Sequence, residues 1–301
     1  ATATIAAILA SGATAEDYPN RPIRFIVSTP AGSAPDLIAR VFGQLLAEEF
    51  KQNVIVENRA GANGAISVDA AARAAPDGYT FLVATASTLS ANPFLYKNGM
   101  LAVTDLVPIT RLADNDFVIA AHSTLGVKRL DELLKMIQAK PGALNASTSS
   151  RGGSANLAGE LLKFSGNLDF VTIPYTGGAA SAQALDRGEV QFTIETLAMI
   201  EPLAKSGKAT MLATLGTRRN PRFPDLPTVH ESAYPGFDVI GWVALMAPKG
   251  TPGAIIDTVY GKLAHAIKNE EVRKRLKAMD AFPVVNTPPE FAAQWKAERD
   301  I

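Results

Sequence analysis

The stretch Ile23-Arg24-Phe25-Ile26-Val27-Ser28-Thr29-Pro30-Ala31-Gly32-Ser33-Ala34-Pro35-Asp36-Leu37-Ile38-Ala39-Arg40-Val41-Phe42 decides the fold class. Ile23, Phe25 and Val27 recur with the period of a strand, whereas Leu37, Ile38, Val41, Phe42, Leu45 and Leu46 recur with the period of a helix. A loop of small residues, 28–36, joins the two. Pro35 suits the first helical position, which makes Ala34 the expected N-cap. Alanine has no side-chain acceptor, so the first-turn N–H groups stay free for an anion from outside.

The same rhythm continues outward from this unit. A strand is expected at 54–57, a helix at 65–75 stopped by Pro76, and a strand at 80–84. It restarts with a strand at 117–121, a helix at 130–140 ended by Pro141-Gly142, and a strand at 144–147. A helix at 154–164, a strand at 170–173, a helix at 179–187 and a strand at 190–194 follow. This alternation predicts α/β domains with largely parallel sheets. The segment 220–236 holds Pro221, Pro224, Pro227 and Pro235 and reads as a connection between units. A strand at 239–247, helices at 252–268 and 270–279, and a last helix from Pro288 then complete the first domain. A chain that leaves its first unit near 112 and returns near 235 crosses twice. The expected division is therefore 16–112 with 235–301 in one lobe and 113–234 in the other, hinged near 110–116 and 234–242.

Composition narrows the function. At about 150 residues per domain, 301 residues suit two domains, and 47% hydrophobic against 19% charged residues supply a sizeable core. Twenty-nine basic and 29 acidic residues cancel, which removes the electrostatic footprint for nucleic acid or an anionic membrane. The absence of Cys excludes disulfides, thiol catalysis and Cys-ligated metals. His122, His230 and His265 are too far apart for a short metal motif and are expected to be structural or on the surface. No cofactor and no metal are expected. Residues 1–15 are small, apolar and uncharged and end in Ala13-Thr14-Ala15 before Glu16-Asp17, the pattern of a secretory leader. They are too short for the roughly 20 apolar residues of a membrane span, so an exported, periplasmic protein is expected. At the other end, Trp295-Lys-Ala-Glu-Arg-Asp-Ile301 stops within a helical pattern and reads as a cut end.

In open α/β sheets ligands bind beyond the carboxyl ends of strands, at the loops that lead into helices. Besides 28–36, the loop Ser147-Thr148-Ser149-Ser150-Arg151-Gly152-Gly153-Ser154 fits this place. It offers hydroxyls, glycine backbone and one guanidinium whose fork matches a carboxylate. Enzyme motifs fall short. Gly152-Gly153-Ser154-Ala155-Asn156 ends in Asn where a nucleophile elbow needs Gly. Gly207-Lys208 lacks the rest of a phosphate loop, and Gly61-Ala62-Asn63-Gly64 is not a dinucleotide fingerprint. Asp114 and Asp116 lack the rest of a calcium loop and read as a solvated turn.

Eight stretches, in order, carry a family likeness: Tyr18-Pro-Asn-Arg-Pro-Ile-Arg-Phe-Ile-Val27, Val56-Glu-Asn-Arg-Ala-Gly-Ala-Asn-Gly64, Pro76-Asp-Gly-Tyr-Thr80, Pro141-Gly142, Asn156-Leu-Ala-Gly-Glu160, Pro174-Tyr-Thr-Gly-Gly178, Phe223-Pro-Asp-Leu-Pro-Thr228, and Trp242 with Ala247-Pro248. From Tyr18 onward the chain resembles the solute-binding proteins of tripartite tricarboxylate transporters, the TctC-like or Bug proteins. The resemblance implies a two-lobed periplasmic binding protein, a Venus flytrap of type II with two interdomain crossings. Such a protein closes over a small di- or tricarboxylate, or an aromatic dicarboxylate, and delivers it to membrane permease subunits. It implies a monomer that is not an enzyme. It also implies ligand contacts from Ser28, Thr29, Ala31, Gly32, Ser33 and Asp36 in the first loop, with backbone N–H groups around Gly32–Asp36 holding a carboxylate. The second loop would contribute Ser147, Ser149, Arg151, Gly152, Gly153, Ser154 and Asn156. Thr85 and Ser87, then Tyr175, Gly177 and Gly178, then Thr193 and Glu195, would complete the cleft.

Three departures bear on the ligand. Relatives usually have paired Gly before the Asp of the first loop, where this chain has Gly32-Ser33-Ala34-Pro35-Asp36. They tend to carry His where Asn156 stands and a small residue where Arg151 stands. An alternative role is a sensory module that passes the same carboxylate to a signalling partner. Another is a hydrolase using Ser154, for which no base motif is present. Glu195 is a candidate partner for Arg151.

Overall fold

The computed structural model describes residues 18–95 and 101–299, so the leader expected at 1–15 lies outside the described residues. Strand β1 (Ile23–Val27) forms where the apolar alternation stood, and every residue in it except Arg24 is buried. It pairs in parallel with β2 (Val54–Asn58) and β3 (Thr80–Thr85). A central parallel strand buried on both faces needs a helix on each. The helix Ala34–Phe50 lays Ile38, Val41, Phe42, Leu45 and Leu46 against Phe25 and Phe81. On the opposite face, Val68 and Ala71 of helix Ala65–Ala72 meet Ile26 and Leu82.

The remaining strands are β4 (Leu106–His122), β5 (Asn145–Thr148), β6 (Val171–Pro174), β7 (Phe192–Thr196), β8 (Ala209–Thr214), β9 (Ile240–Pro248) and β10 (Ala281–Pro283). They form two sheets, β2-β1-β3-β9-β4-β10 and β8-β4-β7-β5-β6, that share β4. From Leu106 to Asp116 this strand pairs antiparallel with β9, and from Phe117 onward it pairs antiparallel with β7 and β8. The change of partners falls between Asp116 and Phe117. Each sheet has its own core. Val259, Leu263 and Leu276, from helices Gly253–Ala266 and Glu270–Ala278, fill the first, and Phe291 and Trp295 of helix Pro288–Arg299 join its other face. Leu133, Ile137, Leu162, Phe170 and Phe192 fill one face of the second sheet, with Leu185, Leu197 and Ile200 on the other. The result is the expected α/β fold of two lobes joined by two crossings.

Three readings change. β4 begins well before the expected 117–121. The helix Leu197–Lys205 and β8 were not anticipated, because Pro202 interrupts the helical pattern. The proline-rich 220–236 segment does not connect units. Phe223 and Leu226 pack on the second core, Val229 enters it, and Thr228 caps the turn Val229–Ser232 in a capping box with Glu231. The return to the first sheet comes later, where Val239 N donates to Leu215 O at 2.8 Å and Ile240 pairs with Asp116.

Asp114 and Asp116 form no solvated turn. Both sit in β4, where Asp114 pairs with Arg111, and the side chain of Asn220 donates to both Asp116 and Asp280 at 2.7 Å. Burial, opposed by the Asn220 hydrogen bond, pushes the Asp280 carboxyl up to about 7. The folded state therefore holds a proton there that the unfolded chain releases near its ordinary value of 3.8. Stability should fall as pH rises from about 4 to about 7, by at most about 4 kcal/mol, and level off above. Urea denaturation across pH should show a shallower decline for Asp280→Asn than for the parent chain. Parallel curves would mean that Asp280 is ionised throughout.

Candidate functional site

A cavity of about 800 Å³ lies between the lobes. Helices Ala34–Phe50, Ala65–Ala72, Ser154–Gly166, Gly178–Asp186 and Leu197–Lys205 all begin at it. Their N-caps, Ser33, Gly64, Gly153, Gly177 and Thr196, all line its wall. None of these caps uses a side chain to bond the first turn. By contrast, Thr228 and Asn269 cap helices elsewhere through their side chains. Three of the five are glycines with no side chain to cap with; Ala62 O takes the Ala65 N–H, and at Gly153 and Gly177 the first turn and the positive end of the helix dipole are left to the cavity.

The two principal loops are built alike. Gly32 lies at φ +79° and Gly152 at φ +71°, in the left-handed region that favours glycine. In each loop the glycine N–H donates to the side chain four residues on. Gly32 donates to Asp36 Oδ2 at 2.8 Å and Gly152 to Asn156 Oδ1 at 2.9 Å. Asp36 is buried, and its second oxygen takes Asn58 Nδ2 at 2.8 Å and Arg40 at 3.0 Å. Burial opposes ionisation there, but the bonds from Arg40, Gly32 and Asn58 hold its carboxyl below the ordinary range.

Of the residues expected to contact ligand, Ser28, Thr29, Ser33, Thr85, Ser87, Ser149, Arg151, Gly153, Ser154, Tyr175, Gly177, Gly178 and Glu195 line the cavity. Ala31, Gly32, Asp36, Ser147, Gly152, Asn156 and Thr193 do not, and each has a structural reason. Ala31 is exposed on the loop exterior. Gly32, Asp36, Gly152 and Asn156 are spent on the two loop bonds, so the Gly32 N–H is already taken. Ser147 and Thr193 are wholly buried and bonded to each other at 2.9 Å. Ser33, not Ala34, is the N-cap, with Pro35 in the second helical position. Its hydroxyl donates away from the helix, toward Pro30 O and Thr29 Oγ1, so the first turn is still uncapped.

Sequence reasoning missed Ala60–Gly64 and the floor. Asn63, at φ +51°, donates to Gly152 O at 2.9 Å and so bridges the lobes. Gly64 cannot carry a side chain, since a Cβ would lie 2.6 Å from Thr88 Oγ1. Asn115, Phe117, Gly241 and Trp242 reach the cavity from β4 and β9, beside the change of sheet. The Gly61-Ala62-Asn63-Gly64 run, which falls in the Val56–Gly64 family stretch, is the sequence signal for this part of the wall.

Arg151, Glu195 and Tyr175 are the ionisable side chains among the lining residues. Arg151 is exposed and makes no ion pair among the described residues, so the expected alternative of an Arg151–Glu195 pair is not realised. Glu195 is buried, and burial pushes its carboxyl up to about 7. Three buried oxygens of lining residues, Ser28 Oγ, Glu195 Oε2 and Thr196 Oγ1, make no well-formed hydrogen bond among the described residues. Buried polar atoms are normally bonded, so these point to a polar occupant. None of the histidines lines the cavity, which leaves Ser154 without an imidazole base.

A two-lobed fold with an anion-favouring interlobe cleft lined by many hydrogen-bond donors is the architecture of a solute-binding protein. The family described as tripartite tricarboxylate transporter family receptor, TctC, matches residues 38–295. Protein BugT of Bordetella pertussis (strain Tohama I) is 36% identical over 286 residues, 93% of this chain and 86% of that one. Among solved structures, R. palustris Rpa4515 with adipate superposes with a TM-score of 0.90 at 27% identity, covering 94% of this chain and 95% of that one. MatC from Rhodopseudomonas palustris with bound malate gives 0.86 at 26% identity, covering 94% and 98%. The chain belongs to the TctC family of periplasmic binding proteins.

The loop bonds rank two substitutions. Asp36→Ala strands the Gly32 and Asn58 donors and one guanidinium, and should cost about 2–4 kcal/mol. Asn156→Ala removes one neutral bond and should cost about 1 kcal/mol. Urea unfolding of both variants checks the order, and equal losses would contradict it.

Proposed function

We propose that this protein captures a small carboxylate with an anionic group at each end and releases it unchanged. In this reading it works in the periplasm, as a monomer, and hands its ligand to the permease subunits of a tripartite tricarboxylate transporter. The observation that carries the reading is the convergence of five uncapped helix N-termini and the unpaired Arg151 on one interlobe cavity. Carboxylates are stabilised at such N-termini, and a guanidinium fork holds one in bidentate fashion. The adipate and malate bound by the two R. palustris relatives belong to the same chemical class. Ligand contacts from both lobes would favour the closed arrangement over the open one.

Three measurements test this. A thermal-shift screen of carboxylates should find a stabilising ligand, since one at 100 times its Kd adds about 2.7 kcal/mol. Failure of every di- and tricarboxylate would overturn the reading. By calorimetry, Arg151→Ala should lose a charge-assisted bond of about 1.5–3 kcal/mol, or about 10- to 150-fold in the Kd for adipate. Hexanoate, which lacks the second carboxylate, should lose little further, and equal fold losses would deny Arg151 the second anion. X-ray scattering should give a smaller radius of gyration with a saturating ligand than without, through movement about the 116–117 and 239–240 crossings. Unchanged scattering would rule closure out.

A further inference from the structure

We infer that Glu195 takes part in ligand capture as a neutral carboxylic acid that donates a hydrogen bond from Oε2 to an oxygen of the bound carboxylate. Binding then requires a proton on the protein, and the floor of the second lobe selects a ligand oxygen over a ligand ammonium. This rests on the carboxylate reading above and adds the protonation state and the polarity of one contact.

The geometry begins with the two oxygens. Oε1 accepts the Thr196 N–H at 2.8 Å, so it is the carbonyl-like oxygen. Oε2, on a side chain that lines the cavity, accepts no hydrogen bond among the described residues, so it is the atom left to carry a proton. The side chain is 2% exposed. It is confined as well, because a Cβ at Gly178 would stand 3.1 Å from Oε1, tight enough to press on the carboxyl.

The surroundings supply no counter-ion. On the elements packed against β7, Glu160 pairs with Lys163, Asp186 with Lys208, and Glu201 with Lys205 and Arg222. On β4, Arg111 pairs with Asp114, Asp116 bonds Asn220, and His122 bonds Thr124. In the adjoining loops, Arg151 is unpaired and Tyr175 faces Glu189 at 3.5 Å. None of these groups makes an ion pair or hydrogen bond with Glu195 among the described residues. Asp36 and Glu201 show the contrast: each is a buried carboxylate beside a guanidinium, and each is held below its ordinary range despite burial. Glu195 is shifted the other way by burial, although Thr196 and the nearby Ser149 hydroxyl oppose the shift. An ionised Glu195 would also compete with an anionic ligand for the helix ends at Gly178 and Leu197, whereas a neutral one leaves them to the ligand and adds a donor.

The test is calorimetry on the 301-residue chain and on Glu195→Gln, with malate, adipate and aspartate, at pH 6.5 and 8.5. Each titration is run in two buffers of different ionisation enthalpy, so that proton uptake is read directly. Malate and adipate are dianions at both pH values. For a carboxyl at about 7, the parent chain should bind a dianion about 25-fold more weakly at pH 8.5 and take up close to one proton per ligand there. Glu195→Gln, which cannot ionise, should show neither the uptake nor the pH dependence. Binding of malate or adipate without proton uptake overturns this inference and leaves the carboxylate reading standing. Preference for aspartate, strengthening with pH and lost in Glu195→Gln, assigns an ionised Glu195 to a ligand ammonium and also overturns it. If none of the three binds, the titrations are repeated with the dicarboxylate that the thermal-shift screen selects, and binding of that ligand without proton uptake overturns the inference.

Discussion

The site depends on one hydrogen bond made twice. In each lobe a glycine in the left-handed region donates its N–H to the side chain four residues later, Gly32 to Asp36 and Gly152 to Asn156. The bond turns the chain sharply at the strand end and consumes the inner side chain. The next helix therefore starts with no side chain over its first N–H groups. Where a Ser, Asp or Asn at the N-cap would ordinarily close a helix end, here the closing group sits inside the helix and faces back along the loop. The cost is a left-handed residue and a buried polar side chain in each lobe. The return is an open helix end at each side of the cavity. The first lobe makes its version with a carboxylate braced by Arg40 and Asn58, and the second with an amide that needs no counter-ion.

The two loops face one another because one strand runs through both sheets. β4 cannot tilt in one lobe without carrying pairing in the other, and its partners change at Asp116–Phe117, beside the cavity floor. Asn220 and Asp280 close over that point from opposite lobes. In the proposed closure, the few residues at the two crossings are the places where the backbone would turn.

The strand-to-helix steps of both lobes were legible because Ile23, Phe25 and Val27, and then Leu37 to Leu46, announce their periods locally. The first half of β4 was not. It carries Pro108, Arg111, Asp114 and Asp116, and its register shifts twice against β9. Its polar groups are satisfied by residues far along the chain, Asn286 for the Arg111 N–H and Asn220 for Asp116, and no local pattern reports such partners. The site divides along the same line. Loop residues ahead of helices could be named from sequence, while Asn115, Gly241 and Trp242 reach the cavity only through long-range strand pairing. Gly32, Asp36, Gly152 and Asn156 belonged to the right loops, yet they shape the wall instead of lining it.

The shared strand also has a kinetic consequence. The second sheet uses β4 to β8 with helices that lie between them in the chain, so its contacts are comparatively local and become complete once the residues up to Val239 exist. The first sheet must wait, because β3 and β4 are held together by β9 and the core they cover needs Val259, Leu263 and Leu276. In chain order, the first sheet begins early and is completed last. Contacts of long sequence separation are the slow ones to form, so β1 to β3 spend the longest interval with an unpaired edge.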